Sequence, residues 1–168
     1  MSDTDPERDV DRSIPGSLSS LYQEVILDHY RRPRNKGDLE GATHTITMNN
    51  PLCGDVIELQ LDVQGDRIRE ARFKGRGCSI SQAAASMMTG SLEGRTTREA
   101  LELVGKFKEL MHGEAARMED ADLGDLRALA GVAKFPVRIK CALLGFNCLE
   151  EMLGESPGGG SGSDRGGS

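Results

Sequence analysis

The 168-residue chain has no tryptophan, and aromatic residues make up only 4% of it. A folded interior must therefore be filled mostly by aliphatic side chains, alanine and methionine. The sequence also has no apolar run long enough to cross a membrane as a helix. Basic residues are fewer than acidic ones, 21 against 27, and this balance gives no indication of a nucleic-acid-binding surface.

The net charge of −6 is concentrated at the two ends of the chain. Residues 1–15 carry five acidic and two basic side chains, and residues 154–168 carry two acidic and one basic. An acidic, polar beginning is the opposite of a secretory or organellar leader, so the sequence predicts a cytoplasmic protein. We expect residues 1–17 to be a disordered acidic tail, residues 18–153 to form one domain, and residues 154–168 to be a flexible Gly/Ser tail.

The chain has only four cysteines. In a secreted protein they could form two disulfides, but cytoplasmic thiols stay reduced, which favours metal binding or catalysis. Cys53 lies in a Pro-Leu-Cys-Gly-Asp segment that also supplies Asp55, Cys78 follows Gly-Arg-Gly, and Cys141 follows Arg-Ile-Lys. Three thiolates and one carboxylate would suit a four-coordinate zinc site.

Each of these residues also has an ordinary explanation when it is taken alone. Cys53 could be a small buried residue in a turn beside an exposed Asp55, and Cys78 a compact core residue. Against this, Cys78 and Cys141 are both expected in the first turn of a helix, where unpaired N–H groups and the helix dipole favour the thiolate. Three such positions together favour a shared site. Cys148 lies two helical turns beyond Cys141, about 10 Å along the axis, and is predicted to be a buried helix residue.

The three histidines are not expected to bind the metal. None of them neighbours a cysteine, so His29, His44 and His112 are interpreted as surface or helix-capping residues. Met87 and Met88 are expected to pack in the core.

The hydrophobic pattern predicts a mixture of helices and strands. We expect helices at about 17–33, 79–92, 98–111 and 137–153, a weakly helical segment at 113–131, and strands at 43–49, 56–63 and 67–74. Gly65 and Asp66 predict a hairpin between the last two strands. Thr96 and Glu99 have capping-box spacing, and Ser79 or Ser81 is available to cap the helix that follows Cys78.

Four longer segments resemble a known family. They are LYQEVILDHYRRPRNKG (21–37), NNPLCGD (49–55), FKGRGCSISQAAASMMT (73–89) and FPVRIKCALLGF (135–146). On these segments the chain resembles the IscU/NifU-type iron–sulfur cluster assembly proteins, and most closely their SufU branch. The resemblance implies an α+β fold, with a three-stranded antiparallel sheet packed against helices. It also implies a metal site of Cys53, Asp55, Cys78 and Cys141 at one exposed end.

Two features favour the SufU branch. Lys140 stands where IscU-like proteins carry a histidine, and a protonated lysine is a poor ligand, so Asp55, solvent or a partner group must complete the site. Residues 113–131 look like the insertion that separates the second and third cysteines in SufU-like proteins. The chaperone-recruiting proline motif of IscU is only partly kept at residues 135–138.

The expected function is therefore a sulfurtransferase-like step in iron–sulfur cluster assembly. The protein would bind zinc, accept persulfide sulfur from a cysteine desulfurase and serve downstream assembly proteins. Cys53 is the expected acceptor, with Cys78 and Cys141 as permanent ligands. One alternative is a scaffold on which the same residues hold a [2Fe–2S] cluster. Another is a zinc-stabilised interaction domain without sulfur chemistry.

Overall fold

A computed structural model of the chain describes residues 20–51 and 54–154. The described residues form four α-helices, three β-strands and two 3-10 segments, the second of which is interrupted at Gly124, whose φ of 52° and ψ of −130° are not helical. In chain order they are α1 (Ser20–Arg31), β1 (His44–Asn50), β2 (Asp55–Gln64), β3 (Arg67–Arg76), α2 (Ser79–Leu92), α3 (Thr97–Met111), the 3-10 helices Ala115–Glu119 and Ala121–Lys134, and α4 (Pro136–Leu153). Both expected tails, apart from Gly154, lie outside the described residues, and so does Cys53.

The three strands form one antiparallel sheet in the order β1-β2-β3. Gly65, with a φ of +65°, and Asp66 join β2 to β3 as the predicted hairpin. At the other end of β2, Asp55 pairs with Asn50 and closes the connection from β1. The sheet has helices α2 and α4 packed against it, so the predicted α+β fold is confirmed.

The core is built almost entirely from aliphatic side chains, alanine and methionine, as the composition requires. Helix α2 is buried on nearly all sides, and its alanines allow α4 to approach closely. A Cβ atom on Gly145 of α4 would lie 3.4 Å from Met88 and 3.7 Å from the Cβ of Ala85. Phe107 and Phe146 stack with their ring centroids 4.2 Å apart. None of the described helices is long and apolar enough to span a membrane.

The ends of two helices test the capping predictions. Thr96 caps α3, because its hydroxyl accepts from the Glu99 N–H while the Glu99 carboxylate accepts from the Thr96 N–H, both at 3.0 Å. The serine cap predicted for α2 is wrong. Cys78 is the N-cap residue of α2 and its side chain makes no capping hydrogen bond. Ser79 and Ser81 therefore fall inside the first turn, where the Ser81 hydroxyl donates to the Cys78 carbonyl at 3.2 Å.

His29 corrects the histidine prediction. It is only 5% exposed, and it bridges the Ser86 hydroxyl at 2.8 Å and the Asp125 carboxylate at 2.9 Å. These contacts join α1, α2 and the longer 3-10 segment. No local sequence pattern indicates them. His112 is exposed and is the residue that caps the end of α3. His44 is half-buried, and its ring forms a hydrogen bond with the hydroxyl of the neighbouring Thr43.

Replacing His29 by alanine should lower the free energy of unfolding by about 2–4 kcal/mol, because it leaves a cavity and removes the buried hydrogen bonds of His29 to Ser86 and Asp125. Urea denaturation would measure this loss. His44→Ala serves as the matched control, with an expected change below about 0.5 kcal/mol. Equal losses in the two variants would contradict the bridging role of His29.

Candidate metal centre

Three of the four predicted ligands lie together in the folded chain. One ligand atom each from Asp55, Cys78 and Cys141 lies within 4.8 Å of the other two. Asp55 begins β2, Cys78 is the N-cap of α2, and Cys141 lies in α4. Cys78 follows Asp55 by 23 residues, so only tertiary packing brings these elements to one point.

The distance between the Cys78 and Asp55 ligand atoms fits a tetrahedral zinc ion. With a Zn–S bond of about 2.3 Å and a Zn–O bond of about 2.0 Å, sulfur and oxygen ligands lie about 3.5 Å apart. The Cys78 Sγ and the Asp55 Oδ2 are separated by 3.7 Å. Two soft sulfur donors with one oxygen donor form a set that zinc accepts.

The carboxylate of Asp55 is fully buried and has two separate tasks. Its Oδ1 accepts a hydrogen bond from the Cys78 backbone N–H at 2.8 Å, and its Oδ2 faces the Cys78 sulfur. The hydrogen bond offsets part of the desolvation of a buried carboxylate. Oδ2 is therefore the oxygen that faces the Cys78 sulfur, where a metal shared by the two residues would lie.

Two glycines before Cys78 allow this close approach, and the sequence alone did not assign them that role. A Cβ on Gly75 would lie 2.1 Å from the Val56 carbonyl oxygen, and a Cβ on Gly77 would lie 2.1 Å from the Asp55 Oδ1. Gly77 also has a φ of +143°, which favours glycine. The end of β3 can therefore lie against the start of β2 only without side chains at these positions.

Cys141 lies in the second turn of its helix, so the expected first-turn position is wrong. The helix begins one residue earlier than expected, because Pro136 is accommodated as the first residue of α4, where its missing N–H is not needed. Cys141 is then the sixth residue of the helix, in its second turn. Its buried thiol donates to the Val137 carbonyl at 3.7 Å.

The role of Cys53 as a ligand stays a prediction, because this residue lies outside the described part of the chain. The described residues on either side, Pro51 and Gly54, belong to the connection between β1 and β2. Gly54 donates its N–H to the Asn50 carbonyl at 2.8 Å. Lys140 is exposed, as expected for a lysine that is not a ligand.

The thiols differ strongly in acidity. Hydrogen bonding between the Cys78 and Cys141 sulfurs, aided by the N–H groups of Ser81 and Ile80, lowers the pKa of Cys78 from 9.0 to about 6. Burial and the Asp55 carboxylate oppose this shift. Burial raises the pKa of Cys148 to about 12. Its complete burial in α4 agrees with the predicted structural role.

Alkylation of the metal-free protein should therefore depend on pH in a distinctive way. The pKa of Cys78 is lowered, so its thiolate is already the major form above about pH 6. Labelling of Cys78 by iodoacetamide should rise between pH 5 and pH 7 and then level off, whereas an ordinary thiol keeps gaining reactivity up to about pH 9. Cys148 should stay unlabelled. Peptide mass spectrometry would measure both, and a Cys78 profile with its midpoint near pH 9 would contradict this expectation.

Known proteins agree with this fold. The model of the NifU-like N-terminal domain family matches residues 21–142. The chain is 46% identical over 147 residues to the zinc-dependent sulfurtransferase SufU of Bacillus subtilis, covering 88% of this chain and 99% of that protein. It is 43% identical over 139 residues to the iron-sulfur cluster assembly scaffold protein IscU of Streptococcus pyogenes, covering 83% of this chain and 86% of that relative.

Solved structures show the same architecture. A structure described as an iron-sulfur cluster assembly scaffold protein for the SUF system, from Fervidobacterium islandicum, superposes with a TM-score of 0.73 at 33% identity, covering 80% of this chain and 97% of that one. The N-terminal part of a NifU-like protein from Brucella abortus gives 0.71 at 19% identity, covering 81% of this chain and 96% of that one, which supports the fold alone. The chain therefore belongs to the family of NifU-like N-terminal domains, as its resemblance predicted.

Proposed function

We propose that the protein is a zinc-dependent sulfur acceptor that takes persulfide sulfur from a cysteine desulfurase during iron–sulfur cluster assembly. The observation that carries this proposal is the convergence of Asp55, Cys78 and Cys141 within 4.8 Å. The similarity to a zinc-dependent sulfurtransferase over most of both chains supports it. Downstream assembly proteins would receive the sulfur.

Cys53, Asp55, Cys78 and Cys141 would hold the zinc. When bound, zinc stabilises thiolates and has no redox chemistry of its own, so the thiols are protected from oxidation. The carboxylate of Asp55 would make the site less tight than four sulfur ligands.

Cys53 is the proposed nucleophile. Its thiolate attacks the outer sulfur of the desulfurase persulfide, and a new S–S bond forms at Cys53. The S–S bond on the desulfurase breaks, and the desulfurase cysteine leaves as a thiolate with the electron pair. No external oxidant or reductant is needed, because the sulfur is transferred at the same oxidation level.

The other two cysteines suit a permanent role. Cys141 is fully buried in α4, and Cys78 is held at the start of α2 by the hydrogen bond from its N–H to Asp55. Both residues belong to helices packed in the core, so neither can move far without disturbing that packing. Asp55 keeps Cys78 in place while sulfur is exchanged elsewhere in the site.

A scaffold for a [2Fe–2S] cluster is the second candidate, favoured by the similarity to the Streptococcus pyogenes scaffold protein. The same cysteines could ligate iron. Iron and visible charge-transfer absorption in the purified protein would favour this function, whereas one colourless zinc ion per chain favours the sulfur acceptor.

Removing the metal tests the zinc-centred proposal. If free zinc is 1,000-fold above its Kd, binding stabilises the fold by about 4 kcal/mol. Each kcal/mol shifts the Tm of a chain of this size by about 2–4 °C, so a chelator should lower the Tm by about 8–16 °C. It should also abolish stimulation of the desulfurase. Calorimetry and an alanine-release assay measure these effects.

The matched control is Cys141→Ser, which already lacks one proposed ligand. This variant should melt earlier than the wild type and respond little to the chelator. If the wild-type Tm and the desulfurase stimulation were both unchanged by chelation, zinc would have no part in the function.

A further inference from the structure

Strand β1 lies at the edge of the sheet, and its outer side has no backbone partner. In the order β1-β2-β3, only β2 makes backbone–backbone hydrogen bonds to residues 44–49 among the described residues. The outer side of β3 is covered instead, because the Gly37 N–H donates to the Phe73 carbonyl at 2.8 Å and the Phe73 N–H donates to the Asn35 carbonyl at 3.0 Å. Alternate backbone groups of β1 therefore face away from the sheet along about 24 Å.

The devices that usually stop an edge strand from pairing are missing from β1. Its sequence, HTITMNN, contains no lysine, arginine, acidic residue or proline, and its pairing with β2 runs without a bulge. Native proteins commonly protect an exposed edge with charges, prolines or bulges. An edge without them is a place where a further extended chain can be added to the sheet.

A groove of about 620 Å³ lies beside this edge. Its lining includes Met48 from β1, Leu101 and Val104 from α3, and Asn147 and Glu151 from α4. Three of these five side chains are apolar, and every second side chain of a strand added to β1 would point to the same face of the sheet. Main-chain pairing at a sheet edge, with alternate side chains held in a pocket, is a common way in which proteins bind peptides.

The charges of the groove indicate the chemistry of its partner. Glu150 also lines the groove and is paired with Lys108. Half-buried Glu151 makes no side-chain hydrogen bond or ion pair with a described residue, and no described cation is among the lining residues. A basic side chain that enters the groove would therefore meet an unpaired carboxylate, whereas an acidic one would be repelled.

Other occupants match the groove less well. A second copy of the chain would bring a β1 strand without a basic lysine or arginine to Glu151, and each copy has a net charge of −6. Residues 155–168 contain no aliphatic side chain for the apolar lining, and residues 1–15 carry five acidic and two basic side chains. The best match is therefore a segment of another protein.

We propose that the outer edge of β1 and the groove between β1, α3 and α4, together the edge groove, bind an extended segment of another protein that carries both apolar and basic side chains. The segment pairs with β1 as a fourth strand and places its apolar side chains against Met48, Leu101 and Val104. One of its basic side chains pairs with Glu151. None of the four residues proposed to hold zinc lines the groove, and the inference does not rest on the proposed function.

Three capped heptapeptides test the proposal on the full-length, zinc-loaded chain by fluorescence anisotropy. Lys-Thr-Val-Thr-Val-Thr-Lys presents lysine and valine on one face, and Glu-Thr-Val-Thr-Val-Thr-Glu reverses only the charge. The lysine peptide should bind at least about 10-fold more tightly than the glutamate peptide at about 0.05 M salt. The third peptide is the lysine peptide with every backbone nitrogen methylated. It should bind at least about 10-fold more weakly, because it cannot donate main-chain hydrogen bonds to β1.

Two charge reversals of the protein separate a specific contact from general attraction. Glu151→Lys should weaken binding of the lysine peptide about 10-fold. The matched control is Glu24→Lys, which changes the net charge equally. Glu24 is exposed, makes no side-chain ion pair with a described residue, and belongs to α1, which packs against α2 and the longer 3-10 segment. Its replacement should leave the affinity within about 2-fold of the wild type.

Amide hydrogen exchange locates the bound peptide. In the free chain alternate amides of β1 should exchange rapidly, and the lysine peptide should protect them. Equal weakening by the two charge reversals, equal binding of the methylated peptide, or no binding at about 1 mM lysine peptide would overturn the proposal. So would a dimer in sedimentation equilibrium, or a free monomer whose β1 amides are all protected, because the edge groove would then belong to a second copy or to the chain's own tails.

Discussion

Replacing Cys53 by serine should reduce sulfur uptake from the desulfurase at least about 100-fold, because a hydroxyl is a poor nucleophile at neutral pH and cannot carry a persulfide. The wild-type protein, after incubation with desulfurase and cysteine, should gain one sulfur atom on the peptide that contains Cys53. Mass spectrometry of non-reduced peptides measures this directly. Desulfurase stimulation should fall in parallel.

Two further variants separate the acceptor from the ligands and the core. Cys148→Ala should accept sulfur normally, because Cys148 is completely buried and its pKa is raised to about 12. Cys78→Ser should lose zinc as well as sulfur uptake. If Cys53→Ser still carried sulfur on Cys141, the acceptor role would belong to Cys141. If Cys53→Ser folded and stimulated the desulfurase normally, a zinc-stabilised interaction domain would explain the protein better.

Replacing Gly77 by alanine should weaken zinc binding at least about 100-fold and lower the free energy of unfolding by about 3 kcal/mol. The new Cβ would lie 2.1 Å from the Asp55 Oδ1 and 2.8 Å from its Cγ. Either Asp55 or Cys78 must move, and the 2.8 Å hydrogen bond between them would be lost. Competition with a chromogenic chelator would measure the zinc affinity, and urea denaturation the stability.

Alanine variants of two other glycines separate the effect of a steric clash from the effect of backbone strain. Gly65 has a φ of +65° with no atom within 4 Å of an added Cβ, so Gly65→Ala tests strain alone. Gly90 lies in α2 with open space around it, and Gly90→Ala should stabilise the protein by about 0.5–1 kcal/mol. Both variants should bind zinc as the wild type does. If Gly77→Ala also kept wild-type zinc affinity, Asp55 could not be a ligand held by this geometry.

Much of the secondary structure follows from short-range signals. The capping box at Thr96 and Glu99 and the turn at Gly65 and Asp66 are confirmed within one residue of the predicted positions. Each of these signals acts between residues that are close in sequence, so it survives in almost any tertiary context. The start of α4 was also placed within one residue, at about 137 instead of Pro136, because a proline can either precede a helix or begin one.

The contacts of His29, which were missed, join distant parts of the chain. His29 meets Asp125 across 96 residues, and its neighbours in sequence give no sign of that contact. The 3-10 helix that supplies Asp125 follows a weakly helical pattern, but its docking depends on buried leucines that pack against other elements. Such contacts are decided by how the surfaces fit together, which short-range patterns do not encode.

The sequence by itself determined the order of helices and strands and the family, and it predicted the donor set. These follow from residue identity and from periodicities that act over a few residues. Only the tertiary structure decided that Asp55, Cys78 and Cys141 meet, that the Asp55 Oδ2 faces the Cys78 sulfur, and that Gly77 makes their approach possible. The physical reason is that β2, α2 and α4 converge through the packing of one shared core, and the distances there depend on every residue between them.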